Sequence, residues 1–522
     1  MRDGAKLIAD RYIPQTPPPH PTILIRTPYG RNAAAGAFGL MTDFCARRFA
    51  EQGYGVVVQD VRGRFDSGSA FEPFRFERED GWDTLTWLSE RDWCGPIGMW
   101  GSSYLGIVQW AAADHPAVRA LMPMITASDV YDVAFHDGVF NLDLGARWIA
   151  ILNLQERYKR RPLLSSAALV TGVERSARRA FQHLPLIEAD DALPPGTVRY
   201  YQTWLNEHRD GENLRRYFPT PAIEKVTAPV LLVGGWYDFF LRALLKDYAA
   251  LRAAGGAPQM VIGNWVHFSY AFLMLNTLGM AVRWFDETLN AGARPSAEKP
   301  RKPVRLFMLG SRRWREYDAF PPPHQARCWY LDGGGRLDVV PGSAAPETFT
   351  FDPASPPPIA GGAQFSLRAG AASNAEMERR PDVLVHTSPG MAAPLEIVGP
   401  VRLALYVHSA PCETADFFAR LCVVNKQGTS VNLCDGLIRA AAACGEGQSD
   451  GSLRVEIDLG ATAYRFEKGD RIRLVIAGSG HPLWTRHTGG ADPIRDTTLT
   501  PIVQTVYHDA AHPSALTLPV IV

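Results

Sequence analysis

At positions 97–106 the chain reads "IGMWGSSYLG": four residues suited to a buried strand run into two serines fenced by glycines, and a helix-like stretch follows. A hydroxyl at a tight strand-to-helix turn is where a serine nucleophile is placed, and because backbones crowd there the residues two before and two after it must be small. With Ser102 as nucleophile those positions fall on Trp100 and Tyr104. With Ser103 they fall on Gly101 and Leu105, with Gly106 one further on. Ser103 is the better register, although Leu105 is larger than the generic G-x-S-x-G pattern wants. The plainer alternative is a Gly-Ser turn whose hydroxyl caps the helix. Serine is weak until a base takes its proton. Downstream, "APVLLVGGWYD" delivers Asp238 just past an apolar run, and "QMVIGNWVH" delivers His267 after the next. His267 would accept the Ser103 proton and return it to the leaving group, while Asp238 holds the imidazole tautomer. Singly, such a carboxylate is more often a turn or helix cap and such a histidine ordinary surface; jointly, in this order, they read as a nucleophile with its base and orienter. The developing oxyanion needs donors. One is the backbone N–H of Tyr104, and a phenol at Tyr29, in the loop "RTPYGR", is the second candidate, against the alternative of a packed turn aromatic.

These residues need a scaffold that brings strand ends together. "TILIRTPYG", "YGVVVQD", "IGMW" and "VRALMPMITAS" are apolar runs separated by the helical patterns "TDFCARRFAEQG" and "EDGWDTLTWLSERDW", which indicates a parallel sheet covered on both faces. From about 128 to 225 Arg and Leu become frequent, convincing strands vanish, and "GARWIAILNLQERYKRR" and "ERSARRAFQHL" read as helices of an insertion. The alternating pattern then resumes through Asp238 and His267. After "RKPVRLFMLG" helices become scarce, and short strands alternate with Gly, Pro and Asp turns, the pattern of an all-β sandwich or jelly roll. The expectation is an α/β-hydrolase domain in two parts (1–127 and 226–302), a helical cap (128–225) and a carboxyl-terminal jelly roll (303–522).

Composition narrows the partners. Among 522 residues, 54 Lys and Arg balance 54 Asp and Glu, and no long basic block occurs, which argues against nucleic acid or an anionic membrane. The richest apolar run, "YAFLMLNTLGMAVRWF", is too short and too polar to span a bilayer. Seven scattered cysteines, without a CxxC, fit free thiols better than a disulfide scaffold or a zinc site. The start "MRDGAKLIADRY" lacks the apolar core of a secretory signal, so a cytoplasmic protein is expected. No cofactor or metal is called for, and a homo-oligomer stays open.

Taken together, "RTPYGR", "VVVQDVRGRFDSGSAF", "DGWDTLTWL", "GMWGSSYLG", "GGWYD" and "GNWVH" resemble the cocaine-esterase-like (CocE/NonD) hydrolases, a group that includes α-amino acid ester hydrolases, glutaryl acylases and X-prolyl dipeptidyl peptidases. The likeness continues through "RLFMLGSRRWREYDAFPPP", "RPDVLVHTSP", "VNLCDGLIRA" and "GDRIRLVIAGSGHP" and skips the helical insertion. It implies Ser103 as nucleophile in a G-x-S-Y-x-G pattern, which removes the Leu105 difficulty. It also implies Asp238 and His267 as its partners, and Tyr29 and Tyr104 as the oxyanion hole. A departure is Asn264, where the family's loop carries proline.

"QDVRGRFDSG" suggests a buried Asp–Arg network of Asp60, Arg62 and Arg64 bracing the loop near the elbow. Trp148 in the cap and Trp236, Phe239, Phe240 and Trp265 near the polar residues are the expected pocket wall, suited to an ester or amide with an apolar or aromatic acyl group. Asp137 and Asp143 are the insertion's carboxylates that could meet a substrate amine. Three functions are carried forward. The first is a serine esterase forming an acyl-enzyme. The second is an amide-cleaving acylase or X-prolyl peptidase with the same machinery. The third is a non-catalytic protein whose jelly roll binds carbohydrate.

Overall fold

The computed structural model describes residues 1–159, 161–196, 200–207, 223–290, 302–412, 414–441 and 444–522. The first sheet is built from β1 (Ala9–Tyr12), β2 (His20–Thr27), β3 (Gly55–Asp60), β4 (Cys94–Ser102) and β5 (Val118–Met124). After the cap it continues with β8 (Leu231–Tyr237), β9 (Gln259–Val266), β10 (Val304–Met308) and β11 (Arg313–Tyr317), in the order β1-β3-β2-β4-β5-β8-β9-β10-β11. Only the two outermost strands, β1 and β11, run antiparallel to their neighbours. The inner strands are apolar runs such as "GVVVQD" and "LLVGGWY", every residue buried, because helices cover both faces. The chain winds from β2 outward to β3, then crosses back to β4 on the other side of β2. At such a reversal the loops beyond two neighbouring strand ends part and leave a crevice, which is where open parallel sheets place ligands.

The cap contributes the helices Val130–Ala134, Leu142–Arg157, Pro162–Gln182 and Tyr200–Glu207. It is not wholly helical: a hairpin of two-residue strands, β6 (Phe135–His136) and β7 (Val139–Phe140), interrupts it. Residues 208–222, part of the expected cap, lie outside the described residues. Helix Leu142–Arg157 starts at Asn141, whose Oδ1 accepts the Leu144 N–H at 3.1 Å. It is buried on nearly every face and packs against helix Pro162–Gln182.

The carboxyl-terminal part is a twelve-stranded sheet running from His324–Asp332 to Ala515–Ile521. In its long strand Leu395–Ala410, Val401, Leu403, Leu405 and Val407 are buried, while Arg402, Ala404 and Tyr406 are half-buried, the period-two pattern of a sheet with one face on the core. The first sheet continues past 302/303, where the carboxyl-terminal domain is expected to begin. Residues 304–317 form β10 and β11, which extend the first sheet, β10 pairing in parallel with β9. Both are short strands of five residues at that end of the sheet, and in sequence they look like the strands that follow. The two parts are joined by backbone bonds: Leu309 N–H donates to Ala463 O (2.8 Å) and Thr485 N–H to Phe140 O (2.9 Å). Among the described residues no helix is long and apolar enough to cross a membrane.

Candidate active site

β4 ends at Ser102, and Ser103 follows at φ 56° and ψ −124°. Left-handed backbone costs a non-glycine residue about 1–3 kcal/mol and persists only where its surroundings over-determine it. Here the Ser103 N–H donates to Met124 O on β5 (2.9 Å), and its carbonyl accepts from Gly106 and Ile107 (2.8 and 3.0 Å). A Cβ on Gly101 would stand 2.4 Å from the Leu105 Cβ, so the crowding two residues either side of the turn is relieved from the strand side and Leu105 is tolerated. A Cβ on Gly106 would lie 2.3 Å from Thr126 Cγ2, so the second small residue is needed one position later than the generic pattern has it. Ser102 Oγ is buried and has no hydrogen-bond partner among the described residues.

Asp238 is the first residue past β8. Its Oδ1 accepts the Phe240 N–H (2.8 Å), an Asx-type turn, which leaves Oδ2 for His267 Nδ1 at 2.8 Å. His267 is the first residue past β9, and its Nε2 lies 2.9 Å from Ser103 Oγ. Asp238 and His267 are 4% and 3% exposed, so water does not compete for these bonds. Three phenylalanines enclose the imidazole: Phe239, Phe240 and Phe365, with ring centroids 4.2, 5.4 and 5.3 Å away. With the Nδ1–H directed at the carboxylate, Nε2 is the free acceptor facing the serine hydroxyl.

Tyr29 lies two residues beyond β2, its N–H donating to Thr27 Oγ1 (3.0 Å). Since β2 and β4 are neighbours, the loops carrying Tyr29 and Ser103 face each other. The Tyr29 oxygen accepts the Trp148 indole N–H (3.0 Å) and is within hydrogen-bonding reach of the Ser103 hydroxyl. Burial pushes this phenol up to about 12, against smaller downward pulls from Trp148, Arg64 and Ser103, so it keeps its proton through the neutral range. Tyr104 is the first residue of helix Tyr104–Ala111, where an N–H has no intrahelical acceptor. Its side chain points elsewhere, the phenol donating to Glu77 Oε1 (2.6 Å). Arg64 braces the Tyr29 loop to the cap: Nε donates to Pro28 O (2.9 Å), and Nη1 pairs with Glu156 (3.5 Å). The expected Asp–Arg network divides into separate pairs, because Asp60 takes Arg31 (2.6 Å) and Arg62 takes Asp80 and Asp3 (both 2.6 Å).

Ser103 and His267 stand where two cavities meet. The inner one encloses about 530 Å³, in part open to solvent, between Phe74, Ile107, Val133, Phe140, Trp148, Trp204, Phe239, Phe240 and Phe365. The outer one, about 1620 Å³ and also open, lies among Phe38, Met41, Leu169 and Val173, with Arg147 and Glu174 in its wall. Of the expected pocket residues, Trp148, Phe239 and Phe240 line the inner cavity, whereas Trp236 and Trp265 line neither. Side chains alternate along a strand, so nearness to Asp238 or His267 in sequence does not bring a residue to the same face. The Trp236 indole N–H donates instead to Phe307 O (2.7 Å), and Trp265 tilts against Trp314 with ring centroids 6.0 Å apart. Asp137 pairs with Arg242 (3.0 Å), and Asp143 accepts from Arg147 Nε (2.7 Å) and the Phe365 N–H (2.5 Å). No carboxylate lines the inner cavity among the described residues. Phe365, from an irregular stretch before helix Ala375–Glu378, and Phe74 were not expected at this site; nothing in the sequence around either marks it. Asn264, in place of the family's proline, is exposed.

The wall formed by Val130, Val133 and Ala134 is anchored from behind. Asp247, buried and with no cation partner among the described residues, accepts from Ser128 Oγ (2.6 Å) and Ser128 N–H (2.8 Å). Burial pushes its carboxyl up to about 7, well above an ordinary aspartate near 3.9. The folded state therefore holds this proton more tightly than the unfolded chain. Its contribution to stability is greatest below pH 4, falls as pH rises toward 7 and then levels. Asp247→Asn carries no charge and keeps both contacts, its oxygen accepting the Ser128 N–H and its NH2 donating to Ser128 Oγ. Thermal melts should place the variant above the native protein at pH 8, with the gap closing toward pH 4; an equal gap at both would contradict this assignment.

Comparison with known proteins identifies the family and the fold. The family model of the X-Pro dipeptidyl-peptidase (S15 family) matches residues 3–269, and that of the X-Pro dipeptidyl-peptidase C-terminal non-catalytic domain matches residues 296–517. The cocaine esterase of Rhodococcus sp. (strain MB1 Bresler) is 28% identical over 574 residues, covering 100% of this chain and 97% of that protein. Among solved structures, an aminopeptidase from a marine-sediment Thaumarchaeota archaeon superposes with a TM-score of 0.79 at 20% identity. An α-amino acid ester hydrolase does so with 0.78 at 21%, and each match covers 100% of this chain and 95% of the other. At such identities the structures speak for the fold, an α/β-hydrolase followed by a β-rich domain. The family match spans the half of the chain that carries the serine elbow and both its partners, and on that ground the chain belongs to the X-Pro dipeptidyl-peptidase (S15) family of serine hydrolases.

Proposed function

We propose that this hydrolase cleaves carboxylic esters through an acyl-enzyme, with Ser103 as nucleophile, His267 as general base and acid, and Asp238 as orienter. The observation that carries this reading is the line Asp238 Oδ2–His267 Nδ1 (2.8 Å) and His267 Nε2–Ser103 Oγ (2.9 Å), ending on a serine held in strained backbone. Ser103 Oγ attacks the ester carbonyl as its proton passes to His267 Nε2. The oxyanion takes hydrogen bonds from the Tyr29 phenol and the Tyr104 N–H. Collapse expels the alkoxide, which leaves as the alcohol with the His267 proton. Water, deprotonated by His267, then attacks the acyl-serine, and the acid departs as Ser103 recovers its proton.

The acyl group is assigned to the inner cavity, whose wall is apolar and aromatic. A neutral acyl group fits better than one carrying an ammonium, as a dipeptidyl substrate would. The inner cavity offers no carboxylate among the described residues, and Glu174 in the outer one is engaged by Arg147 and by Arg178 (2.9 Å). The cocaine esterase likeness supports the ester reading, and the family's peptidase members keep amide cleavage as the second. Seven free cysteines support the cytoplasmic reading. The test is covalent trapping with a phosphonofluoridate, followed by rates on matched aryl esters and anilides. A mass gain on the Ser103 peptide with esters much faster than anilides is expected. Faster anilides would favour an acylase or peptidase, and no mass gain would sink the hydrolytic assignment of Ser103.

A further inference from the structure

Phe74 is one of seven non-glycine residues with positive φ among the described residues, at 69°. A bulky residue held there costs about 1–2 kcal/mol and needs an external hold. The hold is visible. The Phe74 N–H donates to the Tyr104 phenol oxygen (3.0 Å), and that phenol spends its one proton on Glu77 Oε1 (2.6 Å), so its lone pair faces the Phe74 amide. Glu77 is fixed in turn by Arg26, whose Nη1 lies 3.0 Å from Oε2, and all four residues are buried. Held in this way, the Phe74 ring stacks on Tyr104 (4.9 Å) and Trp148 (5.4 Å) and stands in the wall of the inner cavity.

We propose that the Tyr104 phenol, as distinct from its backbone N–H, is a specificity-determining group: with Glu77 it pins Phe74 in left-handed backbone and so sets the size of acyl group the inner cavity admits. This rests on the assignment of the acyl group to that cavity. Tyr104→Phe removes one oxygen and frees the Phe74 amide, so the wall relaxes outward; Phe74→Ala removes the wall itself. Hydrophobic pockets discriminate by about tenfold or more per methylene-sized change.

The experiment measures kcat/KM for an aryl acetate and an aryl benzoate in the native protein, Tyr104→Phe, Phe74→Ala and the double variant. The benzoate-to-acetate ratio should rise about tenfold in each single variant. Tyr104→Phe should add less than twofold in the Phe74→Ala background, because the phenol acts through that ring. A Tyr104→Phe variant that slows both esters by one factor overturns the proposal, as does an effect that persists in full without Phe74. An unchanged ratio in Phe74→Ala also overturns it, whether or not Tyr104→Phe folds. Labelling rates with methyl and benzyl fluorophosphonates give the same ratio without ester turnover. A native protein that is labelled with the expected variant pattern but hydrolyses no ester would sink the ester reading alone.

Discussion

Ser103→Ala should lower ester turnover by about 10⁶ while leaving the fold in place. On the proposed mechanism the loss is so large because His267 and Asp238 act through this oxygen: His267 Nε2 faces Ser103 Oγ at 2.9 Å, and among the described residues no other hydroxyl meets it. The neighbouring hydroxyl offers no rescue, since Ser102 Oγ is buried and makes no hydrogen bond among the described residues. Alanine at φ 56° is no more strained than serine, and the backbone bonds to Met124, Gly106 and Ile107 do not involve the side chain. A residual acceleration of about 10³–10⁴ over water should survive, from substrate binding and the oxyanion donors. Steady-state rates beside a thermal melt read both quantities; a loss below tenfold in a folded variant would mean that the chemistry runs through another residue.

Tyr29→Phe should cost about 10²–10³ in kcat, with KM little changed. The phenol accepts the Trp148 indole N–H at 3.0 Å, and burial keeps it protonated and so able to act as a donor. A donor that tightens on the charge developing in the transition state, rather than on the ground-state carbonyl, shows its loss in kcat. Phenylalanine retains the ring that stacks on Phe38 at 5.2 Å, so the loop should keep its course. Unchanged kcat would leave Tyr29 a packing residue, and a loss confined to KM would make it a substrate-binding group instead.

Much of this was legible in the chain because the signals were local. An unbroken apolar run such as "VVV" in β3 belongs in the middle of a covered parallel sheet, and the residues just past such a run must sit at the sheet's carboxyl edge. That reasoning places Ser103, Asp238 and His267 at one edge before any coordinate is known. It cannot say which face a neighbouring side chain takes. Trp236, two residues from Asp238, turns to Phe307 on the far side, and Trp265, two from His267, turns to Trp314. Nor could it separate β10 and β11 from the strands after them, since short strands of either sheet carry the same kinds of residue. Phe74 and Phe365 were invisible for a different reason. Each depends on a partner distant in sequence, Phe74 on the Tyr104 phenol and Phe365 on the Asp143 carboxylate, and such pairings leave no periodicity to read.

The Phe365 ring beside His267 bears on the timing of synthesis. A ribosome makes the elbow, the carboxylate and the imidazole well before residue 365 emerges, so the nascent chain carries every reacting group while the cage around the imidazole is still open to water. The stretch that closes it is tied to the cap through Asp143 and continues into a domain whose last strand, Ala515–Ile521, pairs with its first, His324–Asp332. Closure of that cage should thus wait until Ala515–Ile521 has paired with His324–Asp332, so the carboxyl-terminal part decides when the imidazole is shut away from water.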